Sequence, residues 1–258
     1  MSNLALVTGA SSGIGLELAR CHAARGGDLV LCARRRDALE AVKAELQAAH
    51  GITAHVFAAD LAEAVGAEAL YRAVRDAGLT IDILINCAGF GGYGLHVERD
   101  LAAEQAMVDL NIRALMALTH EFGRDMAARG SGRILNVGST AGFLPGPNQA
   151  VYFATKAFVA SFSQAVDHEL RPKGVTVTVL APSYVETGFA KAADLEGTQM
   201  VKAGGADAAD VAKCGYDAMM AGRLVVVNKP LMGFVLARVV PLLPRRMVLK
   251  MSARSQSK

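Results

Sequence analysis

The sequence lacks several features that would define its class at once. It contains no tryptophan, and its four cysteines, Cys21, Cys32, Cys87 and Cys214, are widely scattered. That spacing matches neither a metal-ligand motif nor a disulfide framework, so we expect buried thiols in a reducing compartment and no bound metal. The hydrophobic content of 52% with 20% charged residues excludes a disordered chain.

Long apolar segments are missing as well. No uncharged run approaches the roughly 20 residues that are needed to cross a bilayer, and residues 1–7 lack the charged region and long apolar stretch of a signal peptide. We therefore expect a cytoplasmic protein. Strand-like and helical segments alternate without an internal repeat or linker, which predicts a single α/β domain with a doubly wound parallel sheet.

Acidic residues are absent from residues 223–258, which carry eight basic residues and therefore a formal charge of +8. Because the net charge of the whole sequence is +3, the remainder carries −5. We predict a basic, apolar extension over 229–258 that belongs to the same domain as 1–228. Its composition favours contact with anionic lipid or a phosphate-bearing substrate over nucleic acid, which usually needs interleaved aromatic residues. The alternative is packing against its own domain or in a subunit interface.

A glycine-rich turn follows the first predicted strand, residues 4–7. It reads Thr8-Gly9-Ala10-Ser11-Ser12-Gly13-Ile14-Gly15 and leads into a helical pattern. Glycines let a diphosphate approach the backbone N–H groups at a helix N-terminus, where the helix dipole favours an anion. The spacing is not the G-x-G-x-x-G fingerprint, and an ordinary tight turn between strand and helix is the alternative.

The second predicted strand, residues 28–32, ends without the acidic residue that commonly binds ribose hydroxyls. Arginines follow it instead, and Arg34 and Arg35 can form charge-assisted hydrogen bonds with a 2′-phosphate. This predicts a preference for NADP(H) over NAD(H). The alternative is a solvated helix start that is capped by Asp37.

Polar and small residues follow the next two predicted strands. Asp60 and Leu61 come after residues 53–58, and the carboxylate there can accept from an adenine amino group or cap the next helix. The segment Asn86-Cys87-Ala88-Gly89 comes after residues 81–85. Small residues at that position let a cofactor pass over the strand end.

A tyrosine and a lysine form the candidate catalytic pair. Tyr152 and Lys156 stand four residues apart in a predicted helix over 152–170, so both should leave the same helix face. An ammonium held close to a phenol lowers its pKa from about 10 and makes it usable near neutral pH. The alternative is an amphipathic core or interface tyrosine beside a solvated lysine.

Two further polar residues could complete such a site. Ser139 follows a buried strand-like run, residues 134–137, where open α/β sheets present their ligands, and its hydroxyl can hold a substrate oxygen. The alternative is that Ser139 only helps to form a turn. Asn111 lies in an apolar helix predicted over 104–126, where its amide needs partners. It could hold a water beside Lys156 or satisfy backbone groups.

The substrate pocket should lie near the last strand ends. We expect residues 188–206, which carry Gly197, Gly204 and Gly205, to form a lid or a plain surface loop. The extension 229–258 would form part of a hydrophobic channel, together with the substrate candidates Phe143, Leu144, Gln149, Tyr184 and Phe189.

In their order and spacing, these motifs resemble the short-chain dehydrogenase/reductase superfamily over residues 3–228. The resemblance implies a Rossmann fold with helices on both faces of a seven-stranded sheet in the order 3-2-1-4-5-6-7, and a bound NAD(P). It implies that Tyr152 is the general acid or base and that Ser139 binds the carbonyl oxygen. It further implies that Lys156 lowers the tyrosine pKa and holds the nicotinamide ribose, and that Asn111 positions a proton-relay water.

The resemblance also implies where the cofactor lies. Ser183 follows Pro182 where many members have glycine, which leaves the path of that loop open. The residues it places beside the cofactor are Gly9, Ser11, Ser12, Gly13, Ile14, Gly15, Arg34, Arg35, Asp60, Leu61, Asn86, Ala88, Gly89, Tyr152, Lys156, Pro182, Val185 and Thr187.

The function this implies is NADPH-dependent, reversible reduction of a ketone or aldehyde, on an apolar, lipid-like or steroid-like substrate. One alternative is a 3-oxoacyl thioester reductase, although members with that activity usually end soon after the last strand. Another is a catalytically silent NADP-sensing or scaffold protein. The resemblance also implies a homodimer or homotetramer, and the basic extension adds a peripheral membrane contact as a further possibility.

Overall fold

A seven-stranded parallel sheet in the order β3-β2-β1-β4-β5-β6-β7 organises the computed structural model, which describes residues 3 to 258. The predicted Rossmann fold and strand order are confirmed. The first two residues of the predicted domain 1–228 lie outside the described part. The strands are β1 (Leu4–Thr8), β2 (Asp28–Ala33), β3 (Ala54–Ala58), β4 (Ile83–Asn86), β5 (Gly132–Val137), β6 (Val175–Leu180) and β7 (Val225–Val226).

Eleven α-helices are present in the described residues, and most of them connect the strands. Helix α3 was not predicted, and the segment 188–206 contains α7 and α8 rather than a plain loop. The helices are α1 (Gly13–Ala23), α2 (Arg36–His50), α3 (Gly66–Asp76), α4 (Leu101–Val108), α5 (Leu115–Arg129), α6 (Ala150–Leu170), α7 (Phe189–Ala192), α8 (Gln199–Lys202), α9 (Ala208–Met220), α10 (Pro230–Phe234) and α11 (Arg245–Ser255).

The core consists of two apolar layers, one on each face of the sheet. Successive residues of β1 alternate between them, so that Val7 packs with Leu18 of α1 and Tyr216 of α9, whereas Leu6 packs with Leu118 of α5. All five residues of β1 are buried, as expected for a parallel strand that is covered on both faces. Burying one leucine side chain contributes roughly 1.5–3 kcal/mol.

The strand order reverses next to β1, which pairs with both β2 and β4. The crossovers on the two sides therefore diverge, and a crevice opens at the carboxyl ends of these strands. Thr8 joins the two ends, because its Oγ1 accepts hydrogen bonds from the backbone N–H groups of Cys87 (3.0 Å) and Ala88 (3.1 Å). Sequence reasoning did not identify this role of Thr8.

The helix predicted over 104–126 is interrupted by a π-helical turn. α4 ends at Val108, the turn occupies Asp109–Ala114, and α5 begins at Leu115. Such turns widen a helix by one residue and occur often at functional sites. This turn carries Asn111.

The basic extension folds back over the carboxyl edge of the sheet. It contains α10, a π-helical turn at Val235–Val239 and α11. Its end is held by the segment 188–206, since the Gln199 N–H donates to the Ser257 carbonyl (2.9 Å) and the Lys258 ammonium donates to Asp194 Oδ1 (2.9 Å). Within residues 3–258, no helix combines the length and the apolar character that crossing a membrane requires.

Candidate active site

A cavity of about 1250 Å³ lies along the carboxyl edge of the sheet. Most of the predicted site residues line it, although they come from eight separate stretches of the chain. Those brought together are Gly9, Ser11, Ser12, Gly13, Ile14, Gly15, Arg34, Arg35, Asp60, Leu61, Ala88, Gly89, Ser139, Leu144, Gln149, Tyr152, Lys156, Pro182, Tyr184, Val185, Thr187 and Phe189.

The glycine turn leaves room for a ligand at the N-terminus of α1. Gly9 has φ +69°, and a Cβ on Gly15 would lie 2.3 Å from the Gly9 carbonyl oxygen, so larger residues are excluded there. Ser12 is the N-cap of α1, but its side chain makes no capping hydrogen bond. The first N–H groups of the helix are thus available to an anion. The glycine turn and these N–H groups together fit the diphosphate of a nicotinamide dinucleotide.

Arg34 and Arg35 extend from the end of β2 at one end of the cavity. Both are exposed, and neither forms a salt bridge with any residue from 3 to 258, whereas their neighbour Arg36 lies 3.8 Å from Glu40. The alternative that Asp37 caps this helix is wrong, since α2 begins at Arg36 after an N-cap at Arg35. Two unpaired guanidinium groups are suited to a phosphate.

Asp60 also borders the cavity, at the end of β3. Its Oδ1 accepts a hydrogen bond from the Ala62 N–H (3.0 Å). It does not cap the following helix, because α3 begins only at Gly66 after Val65. Of its two proposed roles, helix capping is therefore wrong, and the second carboxylate oxygen is available at the cavity wall.

The catalytic candidates meet at the centre of the cavity. Tyr152 and Lys156 leave the same face of α6, with Lys156 Nζ 5.7 Å from the centroid of the Tyr152 ring. Lys156 is buried and donates to the Val137 carbonyl (2.9 Å) at the end of β5. Ser139 lies two residues after the end of β5, and its Oγ accepts from the Ala141 N–H (3.1 Å). Its own proton can therefore be donated to the Tyr152 hydroxyl or to a ligand oxygen in the cavity.

Burial controls the ionisation of Tyr152 and Lys156. The expected lowering of the Tyr152 pKa by Lys156 is not seen. Withdrawal of the phenol from water raises the pKa of Tyr152 to about 12, and only a hydrogen bond from Ser139 acts in the opposite direction. Burial likewise lowers the pKa of Lys156 to about 8. The lysine ammonium is directed to the Val137 carbonyl rather than to the phenol oxygen. Tyr152 is therefore protonated at neutral pH, the form that donates a proton.

Asn111 lies directly behind the cavity wall and is buried. Its Nδ2 donates to the Phe90 carbonyl (2.9 Å) and to Thr155 Oγ1 (3.1 Å), and its Oδ1 accepts from the Phe90 N–H (3.1 Å). Both amide protons of Asn111 are thus bonded to protein groups. This agrees with the alternative that Asn111 satisfies backbone groups rather than holding a water. Thr155 in turn donates to the Tyr152 carbonyl (2.7 Å), so Asn111 braces the segment that carries the phenol.

Besides Asn111, two further predicted residues do not line the cavity. Asn86 was expected beside the cofactor, but its buried Nδ2 donates to Thr119 Oγ1 (3.1 Å) and Asn136 Oδ1 (2.9 Å), and so it joins β4 to its neighbours. Phe143 was expected in the substrate channel. It ends a 3₁₀ turn that begins at Thr140, and its neighbour Leu144 lines the cavity in its place.

Sequence reasoning missed most of the residues that the C-terminal extension contributes. Its apolar character suggested a channel, but its helices and their facing residues could not be assigned from the pattern. The extension residues that line the cavity are Lys229, Met232, Val235, Leu236, Val240, Leu243, Val248, Met251, Ser252, Ser255 and Gln256.

The buried lysine predicts a pH dependence. Lys156 is charged below its pKa of about 8 and loses its proton above it, whereas Tyr152 stays protonated to about 12. We expect kcat/KM for carbonyl reduction, which reports on the free enzyme, to fall as the pH rises through about 8. In Lys156→Arg the residual activity should lack this fall, because a guanidinium does not titrate there. A wild-type profile that is flat to about pH 9 would contradict the assignment.

Comparison with known proteins agrees with the fold. The model of the short chain dehydrogenase family matches residues 3–196. A 3-oxoacyl-[acyl-carrier-protein] reductase from Synechocystis sp. is 38% identical over 187 residues, which are 72% of this chain and 75% of the relative. The chain therefore belongs to the short-chain dehydrogenase family. It is an NAD(P)-dependent oxidoreductase that acts on carbonyl or CH–OH groups.

Two solved structures resemble the whole chain. A short-chain dehydrogenase from Sphingobium yanoikuyae in complex with NADPH is 28% identical, with a TM-score of 0.81 and coverage of 94% of this chain and 96% of that one. A bulky-bulky ketone specific alcohol dehydrogenase from Comamonas testosteroni is 29% identical, with a TM-score of 0.78 and coverage of 94% and 95%. Both alignments extend well past the region that the family model matches.

Proposed function

We propose that this protein is an NADPH-dependent reductase of apolar ketones or aldehydes, and that the reaction is reversible. The observation that carries the proposal is the position of Tyr152. It lies where a polar half of the cavity, which contains the glycine turn and Arg34, meets an apolar half lined by Phe189 and the C-terminal extension. A carbonyl group at that junction would have its apolar substituents in the second half.

The catalytic residues have separate tasks in this proposal. Ser139 donates a hydrogen bond to the carbonyl oxygen, and Tyr152 delivers its proton to that oxygen as negative charge develops there. Lys156 holds the nicotinamide ribose and, through its bond to Val137, keeps a positive charge below the phenol. Asn111 and Thr155 fix the backbone around Tyr152. The reduced nicotinamide, when bound, supplies the hydride.

The charges that follow β2 support the preference for NADPH. Arg34 and Arg35 are unpaired within residues 3–258, and no carboxylate stands at the end of β2 to repel a 2′-phosphate. The Sphingobium yanoikuyae structure holds NADPH. Together these observations favour NADPH over NADH in this chain.

The size and lining of the apolar half support a bulky or lipid-like substrate. Phe189 lies 5.4 Å from Tyr152 between ring centroids, and Leu144, Tyr184 and the extension complete the walls. The Comamonas testosteroni enzyme, which resembles this chain, is specific for bulky-bulky ketones. These features favour a ketone with two large apolar substituents.

Initial rates with NADPH and NADH across a panel of carbonyl compounds test the proposal. The panel contains bulky aryl and steroid ketones, small aldehydes and 3-oxoacyl thioesters of rising chain length. We expect rates with NADPH to be highest for large apolar ketones. Exclusive reduction of small polar aldehydes would overturn the substrate class.

Two other functions have distinct outcomes in the same assay. A 3-oxoacyl thioester reductase, the activity named for the Synechocystis relative, would favour the thioesters. A silent NADP sensor would bind NADPH without turnover of any compound. The second is disfavoured because Ser139, Tyr152 and Lys156 are all present and lie together.

We also propose a cytoplasmic protein that contacts the surface of an anionic membrane through its extension. This part exposes Leu231 (76%), Phe234 (61%) and Leu242 (84%) among seven basic residues and no acidic one. Co-sedimentation with phosphatidylserine vesicles should fall strongly in a Leu231→Ser, Leu242→Ser double variant. Equal partitioning of wild type and variant, or none by either, would reject the contact.

Self-association is proposed through α5 and α6. Met116 is 43% exposed on α5, and Phe158 and Phe162 form a stacked pair on α6 with 5.4 Å between ring centroids. An apolar helix face of this kind suits a homodimer or homotetramer. Native mass spectrometry should show an even-numbered species that Phe162→Glu dissociates, and a monomeric wild type would contradict this proposal.

A further inference from the structure

Three polar residues form a corner within the apolar half of the cavity. Gln149 precedes α6. Ser252 lies in the last turn of α11, and Gln256, four residues later, is the C-cap of that helix, so the two lie on the same side of it. Only 3%, 4% and 3% of their respective surfaces are exposed. All three line the cavity, and we call them the polar corner.

The hydrogen bonds of the polar corner are incomplete. Gln149 Nε2 donates to Gln256 Oε1, which ties the extension to the start of the catalytic helix. Gln149 Oε1 and Ser252 Oγ, however, are buried and have no hydrogen-bond partner among residues 3–258. Burying polar atoms in this way is costly unless another group satisfies them. Because both residues line the cavity, a bound molecule can supply that group.

Two other buried side-chain atoms lack partners, Asn86 Oδ1 and Thr176 Oγ1. Both belong to strands, and neither residue lines the cavity. The unsatisfied atoms of the polar corner differ from these because they belong to residues that line the cavity. They also lie near the reacting group, since Gln149 is three residues before Tyr152, a rise of roughly 5 Å along a helix.

The chemistry of the two atoms defines the missing group. An amide oxygen only accepts, so the ligand must donate a hydrogen bond to Gln149, while the Ser252 hydroxyl can donate or accept. A carboxylate offers no donor, and an ether or a second ketone offers only acceptors. A hydroxyl group both donates and accepts, so it has the donor that Gln149 Oε1 requires and can pair with Ser252 Oγ in either direction.

We propose that the substrate is an apolar ketone that also carries a hydroxyl group, and that Gln149 and Ser252 bind this hydroxyl. The inference rests on the proposed carbonyl reduction and adds the second functional group of the substrate. It assigns Gln149, Ser252 and Gln256 as specificity residues, with Gln256 holding the Gln149 amide in place.

Matched ketones test the proposal. We would measure kcat/KM with NADPH for straight-chain methyl ketones that carry a hydroxyl at successive carbons, and for a hydroxylated steroid ketone. Each is paired with its deoxy analogue and its O-methyl ether. For at least one pair, we expect wild type to favour the hydroxyketone over both analogues by about 10- to 100-fold, the range that an unpaired buried polar site produces.

Variants connect this preference to the polar corner. Ser252→Ala and Gln149→Met should reduce it to less than about threefold, because kcat/KM for the hydroxyketone falls by more than kcat/KM for the deoxy ketone. Ser257→Ala removes a hydroxyl from the same segment, but that residue is exposed and its hydroxyl donates only to the Arg254 carbonyl. It should keep the wild-type preference. Thermal melts and NADPH titration show which variants are folded. If Gln149→Met does not fold, Ser252→Ala alone tests the proposal.

Each outcome is informative. This inference is overturned if wild type reduces ketones without preferring any hydroxyketone, or if Ser252→Ala keeps the wild-type preference. Either result leaves the proposed ketone reductase activity in place. Failure to reduce any ketone overturns both. Loss of the preference in Ser252→Ala, with retention in Ser257→Ala, supports the assignment.

Discussion

Replacing Tyr152 by phenylalanine is expected to lower kcat for carbonyl reduction about 10³-fold, while the affinity for NADPH changes little. The variant keeps the ring and its contact with Phe189 but removes the proton donor. General acid catalysis by a positioned side chain contributes about 10² to 10⁴ in rate. The phenol is held protonated, with a pKa of about 12, so the wild-type enzyme has its donor in place throughout the neutral range.

Stopped-flow single turnovers and NADPH fluorescence titration would measure these two quantities separately. Tyr71→Phe is the matched control, because it deletes the same hydroxyl from a residue that bonds to Asp125 on the far side of the domain. That variant should stay within about twofold of wild type, as is usual for surface changes away from a site. A Tyr152→Phe enzyme with more than a tenth of wild-type kcat would show that another group donates the proton.

The second large effect is expected in the cofactor half of the cavity. Arg34→Asp should lower kcat/KM for NADPH about 100-fold and raise that for NADH, so that the preference reverses. The change removes charge-assisted hydrogen bonds to the 2′-phosphate and places a like charge beside it, and each such bond contributes about 1.5–3 kcal/mol. The new carboxylate can instead accept from the ribose hydroxyls of NADH.

Arg36→Asp is the matched control for this prediction. Arg36 is a neighbouring exposed arginine, but it does not line the cavity and lies near Glu40 instead. Steady-state kinetics with both cofactors should show wild-type discrimination for this variant and reversed discrimination for Arg34→Asp. Equal loss in the two variants would mean that overall surface charge, rather than a phosphate site, sets the preference.

Strand ends and glycine positions could be predicted from the sequence because local chemistry fixes them. Apolar runs such as residues 4–7 are buried on both faces and end where the motif residues begin. The close approach of Gly15 to Gly9 admits no side chain, so the turn is specified by residue type alone. The same logic applies to Tyr152 and Lys156, whose spacing on a helix determines that they share a face.

Other features depend on tertiary contacts that no local pattern encodes. The π-helical turn at Asn111 was hidden within an uninterrupted helical pattern. Asn86 carried the right residue type at a strand end, yet its amide bonds across the sheet to Asn136 rather than facing the cavity. The pKa of Tyr152 is set by how completely the folded chain encloses it, which the distance to Lys156 along the sequence does not reveal.

The extension shows this limit most clearly. Its prolines, Pro241 and Pro244, interrupt the periodicity from which helices are usually predicted. Its helices are stabilised instead by packing over the cavity and by contacts at its end, such as that between Gln149 and Gln256. The polar corner could not be found in the sequence, because its members are separated by about a hundred residues.

The central claim is that the carbonyl carbon receives a hydride from NADPH while Tyr152 protonates the oxygen. The most direct test is to incubate the protein with NADPH deuterated at the nicotinamide C4 position and a bulky apolar ketone, and to analyse the product by mass spectrometry. We predict an alcohol that carries one deuterium on the former carbonyl carbon, from only one of the two C4 epimers of the cofactor. An alcohol without deuterium from either epimer, or no alcohol from any apolar ketone, would contradict the account.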